Sequence, residues 1–230
     1  MFPVHQTPPE ACQVADATGW VRLTLPKGGG VVEVTRLPLV DVRDGMPTFA
    51  RPTYRSARVV AARYAAHLMT TGLVNLICEE GHYIDPIIVR ETPAEKAERL
   101  QRGGTNPLER MATKEWAARH DDAVMAALSA SNWTGWPPVS NAGKDWIEGA
   151  KPGRALNYGW DTDERPEVTS MIQTLGTKHD DMHTDYSQTL RLVRAIDPDD
   201  DGILDRIMNL APNLRTVARA LGVALEDLAA

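Results

Sequence analysis

The stretch GWVRLTLPKGGGVVEVTRLPLVDV, residues 19–42, contains two runs of Val, Leu and Thr at near-alternating positions around a glycine-rich connection. Alternation with a period of two is typical of a strand that buries one face, and glycines between two such runs favour a turn. The stretch therefore predicts a β-hairpin or small sheet. The glycines at 28–30 do not predict a phosphate loop, because no Lys-Ser/Thr pair and no helix follow them.

Helical patterns follow this β-rich stretch. SARVVAARYAAHLMTT, residues 56–71, is alanine-rich with apolar residues at helical spacing, and it predicts a helix from an N-cap at Ser56 to an end at Gly72. The first half of residues 90–107 predicts another helix, before the RGGTNP break. Residues 108–130 form the longest helical pattern. Its predicted buried face consists of Met111, Trp116, Val124 and Leu128.

Beyond residue 131 the patterns change from helical to β. Short β-like runs are KDWIE (144–148), RALNYGW (154–160), TSMIQTL (169–175) and TLRLVRA (189–195). Helices and strands in separate blocks predict an α+β fold, with an antiparallel or mixed sheet and helices packed on one face. We expect a main domain over residues 1–196, followed by an acidic loop and a small helical C-terminal tail over residues 197–230.

Composition excludes several function classes. The chain has 230 residues, 43% hydrophobic and 24% charged, which predicts a globular protein with its own core. A net charge of −6 argues against nucleic acid as a partner, because phosphate-backbone affinity comes from clustered Lys and Arg. No apolar run reaches the roughly 20 residues of a transmembrane helix. The pattern at the N-terminus predicts no secretory signal peptide, so we expect cytoplasmic synthesis, with action outside the cell or in a virion left open.

Two cysteines, Cys12 and Cys78, are too few for a disulfide framework. The sequence favours two unpaired thiols and does not decide whether they meet. The number of chains that assemble is equally open.

The segment KHDDMHTDYSQTLRLVRA, residues 178–195, concentrates reactive side chains. His179 and His183 are four residues apart, which on a helix places both imidazoles on one face. Asp185 would complete a His, His, carboxylate site for a catalytic divalent metal. A loop at this position would not guarantee that geometry.

A metal-free interpretation of the same segment is also open. A histidine held by Asp185 would act as general base, with Ser187 as the nucleophile and Lys144 supplying positive charge to an oxyanion. Cys78, with His82 nearby, is an alternative nucleophile, although a buried thiol is the plainer interpretation. The whole segment could equally be a polar turn whose side chains satisfy local backbone amides.

Aromatic residues cluster before this segment. Exposed tryptophans stack on sugar rings in glycan-binding clefts, whereas buried ones belong to the core. The predicted substrate-binding residues are Trp133, Trp136, Tyr158, Trp160 and Tyr186.

The acidic stretch DPDDDGILD, residues 197–205, is a candidate Ca²⁺ loop. Oxygen ligands at alternate positions around a glycine suit this ion, and the predicted ligands are Asp197, Asp199, Asp201 and Asp205. Met208 stands where a full EF-hand has its bidentate glutamate. An acidic linker that caps the following helix is the alternative.

A succession of motifs in the second half resembles an uncharacterised family of bacterial proteins, many of them apparently secreted. The matching motifs are GKDW (143–146), NYGW (157–160), IQ (172–173), His179 and DYSQTLRLV (185–193). The resemblance covers roughly residues 50–195. In this chain Gln188 stands where the family pattern has histidine, and Thr174 replaces the proline after IQ.

The resemblance implies spatial proximity of one set of residues, and no reaction. That set is Lys144, Asp145, Tyr158, His179, Asp185, Tyr186, Ser187 and Arg191.

These patterns together favour a hydrolase that acts on an extracellular or cell-envelope polymer, such as a phage-type peptidoglycan hydrolase. The catalytic residues predicted for it are His179, His183, Asp185, Ser187 and Lys144. The alternative is a non-enzymatic, calcium-stabilised binding or virion assembly module.

Overall fold

The computed structural model describes residues 6–14, 19–43, 48–161 and 171–210. Most of the predicted C-terminal tail, residues 211–230, lies outside these ranges. The described chain has an α+β fold, as the sequence predicts. Its strands are β1 (Cys12–Gln13), β2 (Trp20–Thr24), β3 (Val31–Thr35), β4 (Val40–Asp41), β5 (Thr48–Phe49), β6 (His67–Leu68), β7 (Lys144–Trp146), β8 (Asn157–Asp161), β9 (Met171–Gly176), β10 (Gln188–Thr189) and β11 (Leu192–Ala195). Its helices are α1 (Tyr54–Arg63), α2 (Thr71–Glu80), α3 (Pro93–Gln101), α4 (Lys114–Ala130) and α5 (Ile203–Met208).

The predicted hairpin over residues 19–42 is confirmed. Strands β2 and β3 pair antiparallel from Trp20 opposite Thr35 to Thr24 opposite Val31. Gly28 and Gly30 in the connection have φ of 76° and 89°, a left-handed conformation that glycine adopts without a steric penalty.

The strands divide among three small sheets. Their orders are β1-β4-β5, β2-β3-β11-β6 and β10-β7-β8-β9, and the only parallel pair among these described strands is β10 with β7. Because β10 and β11 are separated by only two residues, the segment 188–195 joins the third sheet to the second. This segment therefore fixes where the preceding polar residues lie.

The first helix is shorter than predicted. It begins after an N-cap at Thr53, whose side chain accepts a hydrogen bond from Ser56 N, and it ends at Arg63. Ala65 has φ of 47°, which is incompatible with a continuing helix, and the next residues form β6 beside β11. Pairing with the sheet overrides the helical pattern of residues 64–71.

Helix α2 was not predicted, and Gly72 lies in its first turn rather than at the end of α1. A Cβ at Gly72 would lie 2.6 Å from Cβ of Leu210, so this glycine allows the chain after α5 to approach α2. Ile203 and Ile207 of α5 are buried in the same core cluster as Leu73.

The two later helices confirm the patterns that predicted them. Helix α3 begins with a capping box formed by Thr92 and Glu95. Helix α4 begins six residues later than predicted, after an N-cap at Thr113. Three of the four residues predicted for its buried face, Trp116, Val124 and Leu128, are buried in α4; Met111 precedes the helix.

Two further predictions concern covalent and membrane features. Neither Cys12 nor Cys78 is in a disulfide. No helix in the described ranges has the length and apolar character that a membrane span requires.

Candidate active site

Asp185 is the centre of a buried polar cluster and is only 4% exposed. Its Oδ1 accepts hydrogen bonds from Ser187 Oγ at 2.5 Å and from Ser187 N at 2.8 Å. Its Oδ2 lies 3.8 Å from Lys144 Nζ and 3.5 Å from His183 Nε2. One carboxylate therefore faces a hydroxyl, an ammonium group and an imidazole.

The surroundings of Asp185 keep it ionised. Burial alone would raise the pKa of this carboxyl, but the charge of Lys144 and the contacts with His183 and Ser187 outweigh burial and hold the pKa below its ordinary value. The carboxylate is therefore negatively charged at neutral pH.

Strand pairing brings Lys144 to this carboxylate. Lys144 begins β7 opposite Gln188 of β10, and its backbone N donates to Ser187 O at 2.7 Å. Its Nζ lies 5.4 Å from the centroid of the Trp160 ring, a cation–π distance. Burial lowers the pKa of Lys144, and Asp185 partly offsets that effect.

The backbone at Trp160 is unusual. Trp160 has φ of 63°, a conformation that a bulky residue rarely adopts, and it follows Gly159 at φ of 132°. A bulge between Asn157 and Gly159 accompanies this conformation and leaves the indole ring facing the Lys144 ammonium. Strained backbone of this kind is concentrated at functional sites.

His183, and not His179, is the histidine that the structure places beside Asp185. The His179 ring stacks on the His183 ring, with centroids 3.8 Å apart and planes 9° apart. Both histidines are partly exposed, so the stack forms the solvent-facing side of the cluster. The pKa of His179 is lowered by burial and by the neighbouring His183 and Lys144.

The stacked geometry does not suit the predicted metal site. Imidazole binds a metal through a lone pair in the plane of its ring. The planes of His179 and His183 are nearly parallel, so their lone pairs do not converge on one point. No group of three metal-binding side chains exists among the described residues. The segment is a loop, which explains why a spacing of four did not orient two imidazole nitrogens toward one point.

Ser187 is not positioned as a nucleophile. Its hydroxyl is 1% exposed and donates to Asp185, so it has no access to a substrate. In this structure the Ser187 hydroxyl satisfies the buried carboxylate of Asp185. His82, the residue predicted to support Cys78, has its Nε2 2.7 Å from Ser131 Oγ.

Three of the five predicted substrate-binding aromatics are core residues. Tyr158, Trp160 and Tyr186 are 3–4% exposed, so they cannot line an open cleft. Tyr158 belongs to the core cluster that contains Leu73 of α2, whereas Trp160 and Tyr186 cluster with Trp116 of α4. The other two are more exposed: Trp133 is partly exposed and Trp136 is 55% exposed. Trp133 packs against the His82 ring and not near Asp185.

The acidic loop does not gather the four predicted calcium ligands. Asp197, Asp199, Asp201 and Asp205 are exposed, and they form no cluster that could hold an ion. Asp197 Oδ1 accepts from the backbone of Asp199 at 3.0 Å. The neighbouring Asp200, which was not predicted, pairs with Arg206 of α5 and accepts from Gly202 N. Within this loop, Asp197 is therefore held by a backbone amide, and Asp200 by a backbone amide and an arginine.

Sequence reasoning missed the arginine that holds the site. Arg51 is buried and binds Asp121 through two nitrogens, at 2.5 and 3.1 Å. Its Nε donates to Tyr186 O at 2.8 Å, and its own carbonyl accepts from Thr184 Oγ1 at 3.3 Å. Arg51 therefore clamps the residues on both sides of Asp185. Arg51 and Asp121 are far apart in sequence, so no local pattern could pair them.

His120 completes this network. Its Nδ1 lies 3.2 Å from Asp121 Oδ1, and its ring stacks with Trp160 at 6.1 Å. Burial lowers the pKa of His120, so the ring is neutral at neutral pH. The sequence did contain a signal that His120 is buried. Trp116, His120 and Val124 are spaced four residues apart, which places them on one buried face of α4.

The positions from the resemblance are brought together in part. Asp145 and Arg191 form a buried ion pair, with Arg191 Nε 3.0 Å from Asp145 Oδ1. Gln188, in place of a histidine, accepts from Asp185 N at 2.7 Å through its Oε1. The Gln188 side chain thus supports the loop that presents Asp185.

Comparisons with protein-family models, with curated proteins and with solved structures found no match to this chain.

Proposed function

We propose that the protein is a hydrolase in which His183 acts as a general base on water, oriented by the ionised Asp185. The observation that supports this proposal is the pairing of a partly exposed imidazole with a buried carboxylate, at 3.5 Å between His183 Nε2 and Asp185 Oδ2. The negative charge of Asp185 at this distance favours the proton on Nε2 electrostatically, and Nδ1 is then the nitrogen that accepts a proton from water.

Each neighbouring side chain has a role in this scheme. Lys144 keeps Asp185 ionised, and Ser187 and Gln188 fix the loop that carries it. The buried Arg51 side chain also positions this loop, through its hydrogen bond to the carbonyl of Tyr186. No covalent enzyme intermediate is needed, because Ser187 is sealed and water is the nucleophile.

The substrate we propose is a cell-envelope polymer such as peptidoglycan. This part of the proposal is supported by the resemblance to bacterial proteins that are apparently secreted, carried by the residues of the GKDW, NYGW and DYSQTLRLV motifs.

The test is release of soluble fragments from purified bacterial cell walls. We expect His183→Ala to lower the rate by a factor on the order of 10²–10⁴, the usual contribution of a general base. His67→Ala is the matched control, since His67 is also partly buried but lies in β6, outside the cluster. Both variants should keep the wild-type melting temperature.

Two outcomes would contradict the proposal. Wild-type protein without wall-degrading activity would remove the substrate class, and unchanged activity in His183→Ala would remove the base.

A non-enzymatic binding or assembly module is the second candidate. It is favoured by the sealed positions of Asp185 and Ser187, because such a network also stabilises a loop without any catalysis. In that case His183→Ala would change stability or binding, and no substrate would be turned over.

A further inference from the structure

A basic surface lies beside the histidine loop. Its exposed cations that form no ion pair within the described ranges are Arg58, Lys151, Arg154 and Lys178. They come from α1, from the turn between β7 and β8, and from the residues after β9. The protein as a whole carries a net charge of −6, so this concentration of positive charge is a local departure from its average.

The surface is concave. One cavity of about 590 Å³ is lined by Arg58, Lys151 and Arg154, and a second of about 660 Å³ is lined by Lys151, Arg154 and Lys178. Lys151 and Arg154 line both, so the two cavities are neighbours, and we treat them together as one binding surface. We call it the basic groove.

One acidic side chain faces the groove. Asp181 lines the first cavity, but it is bound by Arg55, with Arg55 Nη2 3.0 Å from Asp181 Oδ2. The neighbouring Asp180 uses its Oδ1 to accept from Met182 N at 2.9 Å. Within the described ranges, none of the four cations forms an ion pair with either carboxylate.

The groove adjoins the proposed active site through the backbone. Ala155 N, directly after Arg154, donates to His179 O at 3.1 Å, and Arg55 N donates to Asp181 O at 3.0 Å. Lys178 immediately precedes His179. A polymer lying in the groove would therefore run along the loop that carries both histidines.

We propose that the basic groove binds an anionic polymer whose phosphate or carboxylate groups recur along the chain. Like charges gathered in a concavity raise the local concentration of an oppositely charged ligand. The guanidinium groups of Arg58 and Arg154 offer paired donors for phosphate or carboxylate, and the two lysines add point charges. This binding extends the proposed function by naming the charge of the substrate, but it requires no turnover.

The experiment measures binding of inorganic polyphosphate and of polygalacturonate at 50 and 200 mM NaCl, with dextran as the neutral probe. We expect a dissociation constant at least tenfold weaker in Lys151→Glu/Arg154→Glu than in wild type. Binding should also weaken several-fold at the higher salt, because screening shortens the range of the attraction. The relative affinity for the two probes distinguishes phosphate from carboxylate as the preferred group.

The matched control is Lys96→Glu/Lys114→Glu, which changes the net charge equally outside the lining of both cavities. It should stay within twofold of wild type. If Lys151→Glu/Arg154→Glu does not fold, Arg58→Glu/Lys178→Glu reports on the same groove from other elements.

Three results would overturn the proposal: no polyanion binding by wild type at 50 mM NaCl, equal losses in the groove and control variants, or tighter binding of single-stranded DNA than of both probes. Measuring polyanion binding and wall degradation in both wild type and His183→Ala separates the two proposals. Polyanion binding by a wild type that degrades no wall, or equal wall degradation in His183→Ala, would leave the groove and remove the hydrolase. Wall degradation that depends on His183, without polyanion binding by wild type, would leave only the hydrolase.

Discussion

Two segments of this chain are rich in aspartate, residues 179–187 with three and residues 197–205 with five, but their key carboxylates have opposite surroundings. In the first segment Asp185 is buried beside Lys144 and His183. In the second, Asp197 and Asp199 are exposed, and Asp197 Oδ1 accepts a hydrogen bond from the backbone N of Asp199.

The difference arises from the elements that meet at each segment. Strands β7 and β10 and the Arg51 side chain converge on the first, so its carboxylate loses water and gains charged partners. The second segment is an exposed connection between β11 and α5, and solvent screens its charges. A cluster of acidic residues in the sequence therefore indicates a functional site only where the carboxylates are buried beside groups of opposite charge.

The largest expected effect is on stability. Asp185→Ala should lower the free energy of unfolding by about 3–5 kcal/mol, because it leaves Lys144 charged and buried without its partner. Asp199→Ala should change it by about 0.5 kcal/mol or less, as expected for an exposed residue. Urea denaturation measures both values.

A control separates lost charge pairing from lost packing. The double variant Asp185→Leu/Lys144→Met should recover much of the loss, because it removes both buried charges. Equal costs for Asp185→Ala and Asp199→Ala would remove the distinction between the two segments.

The next effect is on acid stability. The folded-state pKa of Asp185 is below its unfolded value, so its stabilisation is fully present above about pH 4 and is lost as the pH falls toward the folded pKa. Asp185→Asn should flatten the decline of the unfolding free energy between about pH 5 and 2.

Asp200→Asn provides the comparison from the acidic loop. The pKa of Asp200 is also lowered, chiefly by its hydrogen bond with Arg206, but this pair is partly exposed. We expect a smaller flattening. A larger effect of Asp200→Asn than of Asp185→Asn in pH titrations of unfolding would contradict the assignment.

The smallest expected effect is that of calcium on the acidic loop. Because its carboxylates do not converge, adding 1 mM Ca²⁺, roughly the extracellular-module range, should shift the melting temperature by less than about 1 °C in wild type. A shift of several degrees that disappears in Asp199→Ala would establish the ion and restore the predicted loop site.

Local patterns predicted much of the fold. The hairpin of β2 and β3, helices α3 and α4, and the β-like runs after residue 131 follow from periodicity, caps and turn residues, which act between neighbours in sequence. Helix α2 and the early end of α1 were missed, because pairing of His67–Leu68 with β11 depends on a strand more than a hundred residues away.

The candidate site was predicted as a segment but not as an arrangement. Asp185, His183 and Lys144 were named from the sequence, and the structure brings them together. Which histidine faces the carboxylate, the sealed position of Ser187 and the clamp from Arg51 could not be predicted, because each depends on contacts between distant elements.

By itself the sequence determined where strands, helices and turns form and which segment holds a dense set of reactive side chains. Tertiary structure alone decided which of those side chains lost water, because burial and the pairing of opposite charges arise only when distant elements pack together. That is the physical reason why residues 184–187 are buried in a polar cluster while Asp197, Asp199, Asp201 and Asp205 remain exposed to solvent.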